Sequence, residues 1–257
     1  MLKILDTVCG YGKVPVLEAL SFSVEAGEIL CILGANGIGK TTLFKSILGH
    51  IGLISGQILL DGKNIELLNN TDRAKQMAYV PQAHIPPFPY KVIDVVVMGR
   101  AAHIKTFAQP TKADTEIAEE ALRVANIIDL RDKAYTEISG GERQLVLIAR
   151  AIAQESGLLI MDEPMANLDF GNQSRIMKQI RDLALTGISV IYTTHNPEHA
   201  FLCSDKVLAI KSRTKYALGE AGQIITNDLL REIYHIDAEI MEIKLRDRLV
   251  RVCIPCS

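Results

Sequence analysis

Hydrophobic and polar positions alternate through the first 33 residues, and the alternation ends in the continuous apolar run EILCIL. Period two predicts half-buried strands, whereas an unbroken apolar run predicts a strand buried on both faces. The stretch ILLDGKNI sets Asp61-Gly62 between two extended segments, a hairpin signal. Two further short runs, LLIM at 158–161 and ISVIYTT at 188–194, predict buried strands of a parallel sheet. Helical spacing appears at Leu145, Ile148, Ala149 and Ile152. It appears again after Thr111, where TKAD to Asp114 reads as a capping box and Ile117, Ala121, Val124, Ala125 and Ile128 share one face of a helix running to Leu130. The last fifty residues predict a strand at KVLAIK, a short helix around 226–234, and a strand pair, EIMEIKL and LVRVCI, about Arg246–Arg248.

Between Gln82 and Ser139 the pattern changes. Pro81, Pro86, Pro87 and Pro89 crowd together and break regular structure. The expected fold is therefore α/β, a mostly parallel sheet with an N-terminal antiparallel β subdomain and an inserted helical subdomain. One domain is expected over 1–257, with a core of 1–82 and 139–235, a helical subdomain at 83–138 and a terminal strand pair at 236–257. A plainer reading of residues 86–110 is a proline-rich surface loop followed by a buried, strand-like run at Val92–Met98.

Composition narrows the function classes. Apolar residues make up 48% of the chain and charged residues 23%, enough to bury a large core. The net charge is −2 and no basic stripe is present, which argues against nucleic acid as the main partner. The opening MLKILDTVCG lacks the apolar core and cleavage site of a signal peptide, and no apolar run approaches the length of a bilayer span, so a cytosolic location is expected. The five cysteines at 9, 31, 203, 253 and 256 read as free thiols. Cys253 and Cys256 form a CxxC with no second pair, the mark of a frayed terminus rather than a zinc site. His195 and His199 are four apart, but Pro197 between them and the missing glutamate exclude a protease-type metal pair.

Chemistry concentrates at strand ends. Residues 34–42 read GANGIGKTT, matching G-x-x-x-x-G-K-[ST] between a strand and a helix. Glycines Gly34, Gly37 and Gly39, with Asn36, let backbone N–H groups curl around phosphate, and the helix dipole adds to this. Lys40 is expected on the β- and γ-phosphates, Thr41 on Mg²⁺, and Thr42 in the same cradle. LLIM delivers Asp162 and Glu163 to its C-terminal end, Asp162 for Mg²⁺ and Glu163 to orient or deprotonate water. Gln82, after YVP, can reach both metal and water, and His195, after ISVIYTT, can reach the γ-phosphate. Tyr11 can stack on adenine. A second glycine-rich helix entrance, ISGGERQ at 138–144, adds an anion site made by Ser139 and the Gly140 and Gly141 amides.

GANGIGKTT, VPQ, ISGGERQ, LLIMDEP, NLD and TTH together resemble the ATP-binding-cassette ATPases over residues 1–235. ISGGERQ is the discriminating piece, since ordinary P-loop enzymes lack it. The resemblance implies two cassettes dimerised head to tail around two ATP molecules. Ser139, Gly140, Gly141 and Glu142 would then serve the γ-phosphate bound to the other copy, and Asp169 would join the dimer seam. Ala35, Ile38, Ile138, Leu145, Met165 and Asn196 depart from the commoner residues of that family without removing a catalytic group.

The stretch IPPFPYKVIDVVVMGR and the ending ALGEAGQIITNDLLREIY resemble importers of metal chelates and vitamin B12. That resemblance implies two copies on the cytoplasmic face of the cell membrane beneath a two-copy permease, contacted through residues 83–110 and fed by an external binding protein. Iron siderophore, haem, cobalamin and oxyanions such as molybdate are the cargoes it leaves open. A soluble cassette ATPase of iron–sulfur cluster assembly, or the ATPase of an exporter, would share every catalytic residue.

Overall fold

The computed structural model describes residues 1–82, 88–105, 107–245 and 248–256. Two compact units emerge, Met1–Leu68 with Ile180–Ser257, and Asn69–Gln179. The first opens with strands β1 (Leu2–Tyr11) and β2 (Val14–Val24), antiparallel from Leu2 opposite Val24 to Tyr11 opposite Val14. Strand β3 (Ile29–Leu33), the expected ILCIL run, is buried at every position. A glycine-rich loop leads from it into helix α1 (Lys40–Ile47). Strands β4 (Ser55–Leu60) and β5 (Lys63–Asn64) complete an antiparallel sheet ordered β2-β1-β4-β5. Asp61 and Gly62 have φ of 47° and 77°, both left-handed, which is why Asp-Gly makes this two-residue turn.

The second unit runs through α2 (Asn70–Gln76), β6 (Met77–Val80), α3 (Val92–Val97), α4 (Lys112–Val124), α5 (Gly140–Ala153), β7 (Leu158–Met161) and the start of α6 (Phe170–Leu185). Strands β6 and β7 are parallel, Val80 beside Met161. The Val-rich segment 92–97 is a helix, not the strand-like run of the plainer reading. Its β-branched residues favour strands only weakly, and burial of Val92, Ile93, Val95 and Val96 among α4 and α5 decides the conformation.

Helix α4 opens with the expected Thr111–Asp114 capping box. Its buried stripe is Ala118, Ala121, Leu122 and Ala125, however, about one residue off the expected face. Val124 points outward, and the helix ends there rather than at Leu130 because Asn126 turns left-handed at φ 55°. Small alanines let α4 lie close against its neighbours. Closeness recurs at Gly99, where a Cβ would overlap the Arg150 carbonyl of α5. The adjacent Arg100 is buried, donating to Asp114 Oδ1 at 3.2 Å, Glu155 Oε2 at 2.6 Å and the Ala153 carbonyl at 2.7 Å.

The chain returns to the first unit within α6. There follow β8 (Ser189–Thr194), α7 (Pro197–Cys203), β9 (Lys206–Ser212), β10 (Lys215–Gly219), α8 (Ala221–Ile224), α9 (Asn227–Tyr234), β11 (Ala238–Leu245) and β12 (Arg248–Pro255). Strands β9, β3 and β8 are parallel neighbours in that order, with β10 antiparallel outside β9. Strands β11 and β12 form the expected pair, whose turn residues 246 and 247 lie outside the described ones. Cys253 sits in β12 opposite Ile240, so this stretch is ordered by strand pairing and is not a frayed end. All five cysteines are free. Among the described residues no helix is long and apolar enough to cross a membrane.

Candidate functional site

Residues 34–39 join a fully buried strand to α1, and two glycines make the path possible. Gly37 and Gly39 adopt φ of 81° and 114°, a region that L side chains rarely occupy. A Cβ on Gly39 would also approach Val16 Cγ1 to 2.7 Å. Gly39 caps α1 without any side-chain hydrogen bond. A helix start leaves its first N–H groups without intrahelical partners, so this end is suited to an anion. Lys40 is buried, its Nζ donating to the Gly34 and Ala35 carbonyls at 2.7 and 3.2 Å. The ammonium thus rests on its own loop. Asn36, Gly37 and Thr41 are exposed, and Gly34 and Thr42 are buried.

Tyr11 ends β1 half-exposed, with Lys45 of α1 donating to its hydroxyl at 3.4 Å and its ammonium 5.8 Å from the ring centre. Hydrogen bonds from Thr42 and Lys45 hold its phenol below the usual tyrosine range. The expected aromatic is therefore beside the helix that the glycine loop opens.

Parallel register gathers the remaining strand-end residues. Leu33 pairs with Thr194, so Gly34 and His195 leave the sheet at the same end. His195 is exposed. His199, considered in the sequence only as a rejected metal ligand, supports this end: its Nδ1 lies 3.1 Å from Thr194 Oγ1, which accepts from the Asn196 N–H at 3.1 Å. The Tyr192 hydroxyl donates to the His199 carbonyl at 3.0 Å. Burial, followed by the charge of His195, pushes the His199 pKa down.

In the second unit, Val80 beside Met161 sends Gln82, Asp162 and Glu163 out of one sheet end. The Asp162 N–H donates to the Val80 carbonyl at 2.9 Å, and the Tyr79 hydroxyl reaches Asp162 Oδ2 at 3.5 Å. Burial, with the neighbouring Asp162 carboxylate, pushes Tyr79 up to about 12. Glu163 is half-buried with φ 45°, a left-handed conformation that costs a side-chain-bearing residue about 1–2 kcal/mol. Its carbonyl accepts from the Ala166 N–H at 3.0 Å, which secures the turn. Gln82 is exposed.

The second entrance is closed by its own side chains. Ser139 Oγ accepts from the Glu142 N–H at 3.3 Å, and Glu142 Oε2 accepts from the Ser139 N–H at 2.7 Å, a capping box heading α5. Those bonds hold the Glu142 carboxyl below the usual range. The two glycines differ. Gly140 borders open space, but Gly141 is buried, and a Cβ there would overlap the Asn172 carboxamide. Asn172 in turn donates through N–H and Nδ2 to the two carboxylate oxygens of Asp169, at 2.8 and 2.7 Å. These bonds hold Asp169, which is exposed, below the usual carboxylate range. A cavity of about 760 Å³ beside β12, lined by Arg181, Glu220 and Arg251 among others, shares no residue with any of these motifs.

Comparison with known proteins places this arrangement. A family model described as ABC transporter matches residues 17–166. An uncharacterized ABC transporter ATP-binding protein of Haemophilus influenzae is 39% identical over 97% of this chain and 95% of its own. The molybdate import ATP-binding protein MolC of the same species is 36% identical over 86% of this chain and 82% of its own. Among solved structures, a metal-chelate type ABC transporter in an inward-facing conformation superposes with a TM-score of 0.89 at 32% identity, over 100% of this chain and 97% of that one. Sequence, fold and the two glycine-rich helix entrances agree: the chain belongs to the ATP-binding proteins of ABC transporters and is an ATP hydrolase.

Proposed function

We propose that this chain is the ATPase subunit of a membrane importer, two copies of which close around two ATP molecules beneath a separate two-copy permease. The cargo is proposed to be a metal chelate, a cobalamin-like compound or an oxyanion, delivered by an external binding protein. The observation that carries this reading is the likeness to the metal-chelate type transporter across the whole chain, terminal strand pair included. The molybdate import relative points the same way. An exposed apolar segment supports a permease contact: Phe88, Tyr90, Met98 and Phe107 all present large side chains to solvent. Residues 83–87 and 106 of the proposed contact lie outside the described ones. Held through that contact, the subunit sits at the cytoplasmic face of the membrane.

The proposed roles follow from the chemistry of each group. Lys40 exchanges its two carbonyl partners for β- and γ-phosphate oxygens, and the amides of the loop from Gly37 and of the first turn of α1 take the remaining phosphate charge. Tyr11 stacks on the base. Thr41, Asp162 and Gln82 offer oxygen donors only, the set that suits Mg²⁺. Mg²⁺, when bound, neutralises phosphate charge. Glu163 orients the attacking water and takes its proton, while His195 donates to the γ-phosphate. Ser139, having used a lone pair in its cap, still has its O–H to donate to the γ-phosphate held by the partner copy, alongside the Gly140 and Gly141 amides.

Purification of the chain from its native membranes in mild detergent tests the reading. A multi-span permease in stoichiometric amount is expected. A soluble scaffold protein in its place would overturn the importer assignment and leave the ATP chemistry intact.

A further inference from the structure

We infer that Asn172 is a positioning residue that joins the Asp169 carboxylate and the Ser139 helix entrance into one preformed surface for the partner copy. The inference rests on the shared-site reading above and names a residue within it that neither the glycine-rich motifs nor the carboxylate pair includes.

Three contacts carry it. Asn172 occupies both oxygens of Asp169, one through its backbone N–H at 2.8 Å and one through Nδ2 at 2.7 Å, so the carboxylate cannot rotate without breaking a bond. The same carboxamide lies against Gly141 in the first turn of α5 so closely that no Cβ fits between them. Gly141 is held in register with Ser139 by the capping box that spans both. A third tie steadies the base of the assembly: Gln173 Nε2 donates to the Leu168 and Met165 carbonyls at 3.1 and 3.3 Å, holding the 165–169 loop on α6.

This arrangement gives the buried glycine of ISGGERQ a reason that phosphate binding does not. Gly140 borders open space and is free to approach a ligand, whereas Gly141 is small because the Asn172 carboxamide occupies the place a Cβ would take. It also restricts what residue 172 can be. Alanine would remove the Nδ2 bond and leave Asp169 to backbone N–H groups alone. Aspartate, of the same shape, would set one carboxylate against another.

The test uses the full chain carrying Glu163→Gln, with Mg²⁺ and ATP, and reads the protein concentration at half-dimerisation by analytical ultracentrifugation. Asn172→Ala is expected to raise that concentration about tenfold, the loss of a charge-assisted hydrogen bond, and Asn172→Asp further still. Binding of a fluorescent ATP analogue to dilute monomer should stay within about twofold of the parent, since the Lys40 loop is untouched. Gly141→Ala should also weaken dimerisation, and the Gly141→Ala/Asn172→Ala pair should dimerise better than Gly141→Ala alone, because the overlap is relieved. A merely structural role predicts additive losses together with lost ATP binding, and that result would overturn the inference. So would dimerisation of Asn172→Ala and Asn172→Asp at the parental concentration. If the Glu163→Gln parent itself stays monomeric with ATP, the shared-site reading fails and takes this inference with it.

Discussion

The two glycine-rich helix entrances look alike as strings and are opposites as sites. At the α1 entrance, left-handed Gly39 caps the helix with no side chain, and a lysine ammonium waits inside the loop. At the α5 entrance, Ser139 caps in an extended conformation, its side chain already holds a helix amide, and the first turn carries the Glu142 carboxylate next to Arg143, whose guanidinium donates to the Ile138 carbonyl. Hydrogen bonds from Ser139 keep that carboxylate ionised. The first entrance therefore offers an anion a bare helix end and a lysine, whereas the second already satisfies part of its helix end with its own side chains. Under the proposed shared site, the second entrance meets a phosphate held on the Lys40 loop of another copy.

The largest expected break in this comparison is at Glu163. Glu163→Gln should lower ATP turnover about 10²–10⁴-fold, the range for losing a general base, while retaining ATP binding. Steady-state turnover within a few-fold of the parent would remove Glu163 from that role. Next come the two entrances themselves. Lys40→Ala should weaken ATP binding to the monomer about a hundredfold, whereas Ser139→Ala should leave monomer binding unchanged and cost about 1 kcal/mol of stability through the lost cap. Equal loss of nucleotide by both variants, in equilibrium titrations, would contradict the division.

Glycines sharpen the comparison at a smaller scale. Gly39→Ala combines a left-handed φ with a clash against Val16 and should destabilise the nucleotide-free protein by about 2 kcal/mol or more. Gly140→Ala faces open space and should change stability by no more than about 1 kcal/mol in either direction. Denaturant midpoints of the two variants decide this, and equal losses would mean that the entrances are strained alike.

The smallest effect concerns His199, which supports the strand end carrying His195. Burial lowers its pKa in the native state, so the unfolded chain binds a proton first as pH falls, near the ordinary value of about 6.5. Its contribution is therefore complete above that value and is lost as pH falls below it toward the native pKa. His199→Asn should lose less thermal stability than the parent between pH 7.5 and 5.5. An equal or greater loss in the variant would show that His199 does not titrate this way.

Much of this was legible because the informative signals are local. The strand–glycine loop–lysine string, the LLIM run before two carboxylates and the Thr111 capping box each lie within a few neighbouring residues, and each formed where expected. What escaped depends on partners distant in sequence. The conformation of VIDVVV is set by packing that its β-branched letters do not display. The α4 stripe was misplaced because alanines, weak as apolar signals, form its centre. Asn172 looks like any polar helix residue until Gly141 is brought against it, and His199 gains its meaning only from the Thr194 hydroxyl. The left-handed backbone at Glu163 has no sequence signature at all.

The grip of Arg100 on the Ala153 carbonyl fixes the far end of α5. Helix α5 spans 14 residues, about 21 Å at 1.5 Å per residue. Gly99 abuts the Arg150 carbonyl toward one end and Gly141 abuts Asn172 at the other, so the helix is held along its length by contacts that leave no room for a side chain.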